Sequence, residues 1–127
     1  MKQPKEILEQ WMYAVNHTNI ENLLSLYDKE AILIPTFSNR ILNSSDKHRE
    51  YFEKLSCRDG LNIRLHENTL IIQTLQDNIY ILSGIYNWCF KVDGEMLNFE
   101  AHFTYFIDLS KDHPIIHHHS SQIPRML

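Results

Sequence analysis

Several features are scarce in this chain of 127 residues. It has two cysteines, three glycines and four prolines, and its formal net charge of −4 leaves no surplus of positive charge. No segment approaches the roughly 20 consecutive apolar residues of a membrane-spanning helix, and the first residues lead into an amphipathic helix rather than a signal peptide. The composition therefore predicts a cytoplasmic protein with neither a membrane nor nucleic acid among its partners.

The cysteines and the length limit the class further. Cys57 and Cys89 are isolated and lack the paired spacing of a zinc or redox motif, so we expect both thiols to be reduced in the cytoplasm. The length suits one domain spanning residues 1–127, and hydrophobic residues make up 43% of the chain. That share is enough to build a substantial core.

Helical patterns come first along the chain and strand patterns follow. Helices are predicted from Pro4, from the Thr18–Glu21 capping box and after Ser44 or Ser45. The second of these should carry an inner stripe of Ile20, Leu23, Leu24 and Tyr27. Strands are expected at 31–34 and then at about 62–75, 79–92, 95–109 and 113–123. This order predicts an α+β fold, in which three N-terminal helices cover the concave face of a cone-shaped, curved antiparallel sheet.

One hairpin sets the register of the two longest strands. Asp93-Gly94 suits a two-residue type I′ turn, which places Val92 opposite Glu95. Counting back places Gly84 opposite Phe103, on a face that is almost wholly apolar or aromatic. The other face carries polar but mostly uncharged residues. We expect the aromatic face to lie under the helices and the polar face to lie outside.

The final strand contains three consecutive histidines whose side chains alternate between faces. A turn at Lys111-Asp112 would place Tyr105 opposite His118. His118 and Ser120 would then point inward, while His117 and His119 would point outward. A shift of that turn by one residue would exchange the two sets.

Two segments carry a family resemblance. The motif H-R-x-Y-F-E-x-L at 48–55, followed at 115–124 by an apolar pair, the histidines, serine and proline, resembles the association (hub) domain of calcium/calmodulin-dependent protein kinase II and its small stand-alone bacterial relatives. These belong to the nuclear transport factor 2-like superfamily, whose cone fold is also called cystatin-like. The resemblance implies a cavity between the first helix and the concave sheet, and a dimer contact on the convex face.

The resemblance also indicates what has changed in the cavity. The two histidines of the hub motif V-H-F-H-R-S fall on His117 and His119, and the arginine that follows them becomes Ser120. Other hub arginines fall near Gly84 and Tyr105, so the cationic lining is lost. We therefore expect a small, largely apolar or aromatic molecule to bind among Trp11, Tyr27, Gly84, Tyr86, Trp88, Phe103, Tyr105, His118 and Ser120.

The same residues have simpler interpretations. Each aromatic ring could be ordinary core, and Gly84 could serve a bend in the strand rather than a pocket. The outward polar residues are expected to form the interface of a homodimer or larger homo-oligomer, and they are Asn87, Glu100, His102, Thr104, His117 and His119.

Two chemical alternatives remain. His117 and His119, with His102 or Glu100, could hold zinc, but such H-x-H pairs are common without metal, so neither a metal nor a cofactor is predicted. His118 could act as a general base in an isomerase, cyclase or hydrolase. The aromatic face carries no carboxylate, so the favoured interpretation is a ligand-binding or oligomerising protein, with an enzyme as the alternative.

Overall fold

The computed structural model describes residues 2–124. Three helices come first, with one strand between the second and the third. They are α1 (Pro4–Asn16), α2 (Ile20–Ser25) and α3 (Ser45–Ser56). The strands are β1 (Tyr27–Ile34), β2 (Asn62–Leu65), β3 (Ile71–Gln76), β4 (Ile79–Val92), β5 (Glu95–Asp108) and β6 (Ile115–Gln122), with a short 3-10 turn at Glu67–Thr69.

The six strands form one curved, unclosed sheet in the order β1-β6-β5-β4-β2, and β3 pairs with the first part of β4 on the same edge as β2. The predicted α+β fold, with N-terminal helices against a curved sheet, is confirmed. The sheet is not wholly antiparallel, however, because β1 pairs with β6 in parallel. The outer position of β1 therefore depends on the last strand of the chain.

The turn between β4 and β5 agrees with the sequence. Asp93 and Gly94 have φ angles of 52° and 83°, as a type I′ turn requires. Val92 lies opposite Glu95 and Gly84 lies opposite Phe103. The predicted register of this hairpin is therefore confirmed along both strands.

Two predicted elements differ from the structure. The expected strand at 62–75 is broken into β2 and β3, because Thr69 turns inward and its hydroxyl oxygen accepts a hydrogen bond from the Ile85 N–H at 2.9 Å. That side chain replaces a backbone partner in the ladder. The sequence pattern predicts Tyr27 on the second helix. In the structure, α2 ends at Ser25 and Tyr27 begins β1, where it lies opposite Ile115.

The predicted Lys111-Asp112 turn is wrong, although its consequence holds. Six residues, 109–114, connect β5 to β6, and the Asp108 N–H donates to the Pro114 carbonyl at 2.9 Å. An irregularity between Phe106 and Ile107 then shifts the pairing by one residue. Beside the connection, Ile107 lies opposite Ile115, one residue out of the predicted register, and the irregularity cancels this offset, so Tyr105 still lies opposite His118.

The core lies between the helices and the inner face of the sheet. The buried stripe of α1 centres on Trp11, and α3 contributes Phe52 and Leu55. These side chains join the inner residues of β1, β4, β5 and β6 in one buried cluster. Within residues 2–124, none of the helices has the length and apolar character that crossing a membrane requires.

Candidate functional site

The nine residues predicted to bind a ligand lie together on the inner face of the sheet and on the helix above it. All except Gly84 are buried. The Trp11 ring stacks on Tyr86 with centroids 5.6 Å apart and meets Trp88 edge-on at 5.7 Å. The rings therefore pack mainly against one another and fill most of the interior. We call this group, with Thr36, the aromatic interior.

Gly84 shows how tightly the aromatic interior is packed. A Cβ atom at this position would lie 2.8 Å from Cζ of Phe103 and 3.2 Å from the Thr69 hydroxyl oxygen. The Phe103 ring thus occupies the space that the missing side chain leaves. Any larger residue would force this ring to move.

A chain of hydrogen bonds crosses the aromatic interior. Trp11 Nε1–H donates to the Tyr27 hydroxyl at 2.9 Å, and that hydroxyl lies 2.8 Å from Nδ1 of His118. Because the indole can only donate, the Tyr27 oxygen accepts the bond from Trp11. Nε2 of His118 lies 3.1 Å from Tyr86 Oη, so each ring nitrogen is hydrogen-bonded to a tyrosine hydroxyl.

The aromatic interior is uncharged near neutral pH. Burial holds the pKa of the His118 imidazole well below its ordinary value, and the neighbouring histidines lower it further. Burial raises the pKa of the Tyr27, Tyr86 and Tyr105 hydroxyls. Both imidazole nitrogens already bond to tyrosines, so His118 can take a substrate proton only after one of these bonds is released.

Two polar groups in this region lack a partner. Within residues 2–124, the Trp88 Nε1–H and the Tyr105 hydroxyl are buried without a hydrogen bond. The nearby hydroxyls of Thr36 and Ser120 bond to each other. A buried donor left unpaired costs about 1–3 kcal/mol, so these two groups are the unsatisfied polar positions of the aromatic interior.

The predicted interface residues lie on the outer side of the sheet. His119 stands between Ile34 and Thr104 on the neighbouring strands, and His117 stands between Ile32 and Phe106. His102 lies on the same side, opposite Ile85. Partial burial lowers the pKa of His117, and the neighbouring His119 adds to the effect. These histidines are therefore interleaved with large apolar side chains.

Glu100 and Asn87 lie at the margin of that group. Glu100 Oε2 is 3.0 Å from His66 Nε2, and Asn87 donates to the Asn98 side-chain oxygen at 3.0 Å. Both therefore interact locally, away from the three outer histidines. The structure thus divides the six predicted interface residues into a central group of four and a marginal pair.

A family model describes the calcium/calmodulin dependent protein kinase II association domain and matches residues 3–124. The chain belongs to this association domain family. A comparison with curated proteins finds no match.

Solved structures share the fold of this association domain. A Xanthomonas campestris protein assigned to the same association domain is 23% identical, with a TM-score of 0.84 over 99% of this chain and 91% of the other. An NTF2-like family protein from Streptomyces avermitilis is 11% identical, with a TM-score of 0.81 over 96% and 95%. A ketosteroid isomerase-like protein from Erwinia carotovora atroseptica is 10% identical, with a TM-score of 0.78 over 94% and 93%. At these identities the likeness shows the fold.

Metal ligation was one interpretation of the histidine run. Among residues 2–124 of the association domain, no group of three or more histidine, cysteine, aspartate or glutamate side chains is placed to hold a metal ion. His119 has Thr104 opposite it, and His102 has Ser121. The hydroxyl-bearing neighbours suit hydrogen bonding by the imidazoles.

Sequence reasoning missed an open pocket beside α3 of the association domain. This pocket has a volume of about 270 Å³ and lies between α3 and the segment 37–42. One signal was present in the sequence, because Lys47 and Lys54 lie seven residues apart on one side of α3, and Arg58 follows shortly after the helix ends. The contribution of segment 37–42 depends on tertiary packing and carries no comparable pattern.

Proposed function

We propose that this association domain is a homo-oligomerising module in which two copies pack their outer sheet faces together about a two-fold axis. The outer face is the patch formed by Ile32, Ile34, Ile81, Ile85, His102, Thr104, Phe106, His117 and His119. One observation carries the proposal. Glu100 borders it on β5, but across four strands the patch itself contains no aspartate, glutamate, lysine or arginine.

Such a patch suits the centre of an interface better than a solvated surface. Interface cores are depleted in charged residues, and here exposed His102 and His119 alternate with partly exposed isoleucines. A neutral imidazole donates one hydrogen bond and accepts another, so it can pair with its symmetry mate across a two-fold axis. The chain's family is named for association, and this supports the same role.

Analytical ultracentrifugation tests the proposal directly. The purified protein should sediment as a dimer or a larger homo-oligomer at micromolar concentration, because burying the outer face removes apolar area from water. Dilution into the nanomolar range should then favour the monomer. A single monomeric species throughout the micromolar range would contradict the proposal.

A second candidate function is binding of a small, largely apolar or aromatic molecule in the aromatic interior. The unpartnered Trp88 Nε1–H and Tyr105 hydroxyl favour it, since a ligand with a polar end could satisfy both. Phe37 covers this end, with its ring 5.6 Å from Trp88 and 5.2 Å from Phe90. We propose that a ligand enters where Phe37 lies. An enzymatic use of His118 is the alternative within this candidate.

Replacing His118 with glutamine separates binding from catalysis. Glutamine keeps a donor and an acceptor, so affinity for a co-purifying compound, quantified by mass spectrometry, should stay within about tenfold, or 1.4 kcal/mol. If His118 is a general base, turnover of that compound should disappear while binding persists, because an amide cannot exchange a proton near pH 7.

Trp88→Phe is the matched variant for this test. It keeps an aromatic ring and removes the unpartnered N–H, so it should weaken retention of the compound by a factor of about 3 to 10. Equal retention by the original protein and Trp88→Phe would contradict a ligand that uses this donor. Loss of turnover in His118→Gln alone would favour the enzymatic alternative.

A further inference from the structure

The pocket beside α3 has an apolar floor. Phe37 and Leu42 contribute from the segment before the helix, and Tyr51 and Leu55 contribute from successive turns of α3. The floor is fixed in place, since Leu42 and Leu55 are buried and the Tyr51 hydroxyl accepts a hydrogen bond from the Phe37 N–H at 3.3 Å. The cavity of about 270 Å³ is open to solvent and large enough for a small organic molecule.

The rim of this pocket is strongly basic. Arg40, Lys47, Lys54 and Arg58 line it, and Glu50 is the one carboxylate among its lining residues. With four cations and one carboxylate, the rim is positively charged, whereas the protein as a whole carries a net charge of −4. A cleft lined by one sign of charge concentrates ligands of the opposite sign.

Most of these cations are not neutralised locally. Lys54 Nζ bonds to Glu50 at 3.1 Å, whereas Lys47 Nζ donates to the uncharged Asn43 side chain at 3.1 Å. The Arg58 guanidinium lies over the Phe90 ring, 5.4 Å from its centroid. Within residues 2–124, Arg40, Lys47 and Arg58 form no ion pair, so three cations remain available to an anion.

We propose that this pocket binds a small organic anion, with an apolar or aromatic body against the floor and its anionic group among the rim cations. Guanidinium groups bind planar carboxylates and phosphates through charge-assisted hydrogen bonds. The site is separate from the outer face, and it shares Phe37 with the entrance proposed for the aromatic interior. Its rim cations belong to neither region, so substituting them tests this pocket independently of oligomerisation and of any interior ligand.

Equilibrium dialysis of a charged and an uncharged probe with the same aromatic body tests the proposal, and it works for an oligomer of any size. The probes are 1-naphthylacetate and 1-naphthylacetamide, and the third ligand is inorganic sulfate, which lacks the apolar body. The carboxylate should bind at millimolar concentration or below, and about tenfold or more tightly than the amide. Sulfate should compete with it only weakly.

Two pairs of substitutions assign the binding to this pocket. Arg40→Gln with Arg58→Gln should weaken naphthylacetate binding about tenfold or more, and should leave the amide almost unchanged. Lys47→Gln with Lys54→Gln provides a second rim variant should the first fold poorly. The matched control, Lys2→Gln with Lys29→Gln, removes two exposed cations elsewhere and should change binding less than threefold.

Three results would overturn the proposal. Naphthylacetate and naphthylacetamide could bind equally well, which would show that the cations contribute nothing. The control pair could weaken binding as much as the rim pairs, which would indicate a general surface charge effect. Finally, naphthylacetate could fail to bind at millimolar concentration.

Discussion

Replacing Trp11 with alanine should lower the free energy of unfolding by about 3–5 kcal/mol. The ring is fully buried and lies within 6 Å of Tyr86, Trp88 and Tyr105, measured between ring centroids. Removing it leaves a cavity in the middle of the aromatic interior and takes away the donor that the Tyr27 hydroxyl accepts from. Urea denaturation at a fixed protein concentration measures the change, since oligomerisation also contributes to stability.

Two further variants serve as controls, one for the hydrogen bond of Trp11 and one for the loss of an aromatic ring at an exposed position. Trp11→Phe keeps most of the apolar volume and should cost less than Trp11→Ala. Tyr13→Ala removes an exposed ring from the same helix, and its effect should stay within about 0.5 kcal/mol. If Trp11→Ala destabilised the protein no more than Tyr13→Ala, Trp11 would not be the centre of the core.

The second large effect concerns the outer face. His102→Asp combined with His119→Asp should convert the oligomer to monomers at micromolar concentration. A two-fold interface would contain both substitutions twice, so four carboxylates would be buried without a cation in the patch to pair with them. Each uncompensated charge costs several kcal/mol on burial. Sedimentation of the variant beside the original protein measures the shift.

Two further variants test whether charge at this face is the cause. His102→Asn with His119→Asn keeps polar, uncharged side chains and should remain largely oligomeric. Gln10→Asp with Asn22→Asp adds the same charge on exposed positions of α1 and α2 and should leave assembly intact. A double aspartate variant of the outer face that sediments like the original protein would exclude this face as the interface.

Local chemistry made part of the fold predictable. Asp93 and Gly94 adopt positive φ angles with little strain, so they specify both the turn and the pairing of every residue in β4 and β5. The inward position of His118 was also predicted correctly, although for an incomplete reason. The pairing beside the connection is offset by one residue, the irregularity near Phe106 cancels that offset, and neither is encoded by a local pattern.

Tertiary packing determined what the sequence could not show. In the sequence, Gly84 indicated either a pocket or a bend. Whether space remains beside it depends on the Phe103 ring, which packs over the glycine from the next strand. The break between β2 and β3 likewise depends on one side chain, Thr69, whose hydroxyl bonds to the Ile85 backbone in β4. The basic pocket requires segment 37–42 to fold against α3, and no periodicity connects the two.

The parallel pairing of β1 with β6 also determines when the molecule can be completed. Tyr27 and His118, which bond at the centre of the interior, are 91 residues apart in sequence, and β6 is the one strand alongside β1 in the sheet order. During synthesis, the helices and β1 therefore emerge long before the strand that joins them to the sheet. Such long-range closure slows folding and leaves apolar surface exposed in the nascent chain. Strand β6, synthesised long after β1, is therefore the one that closes this sheet around β1.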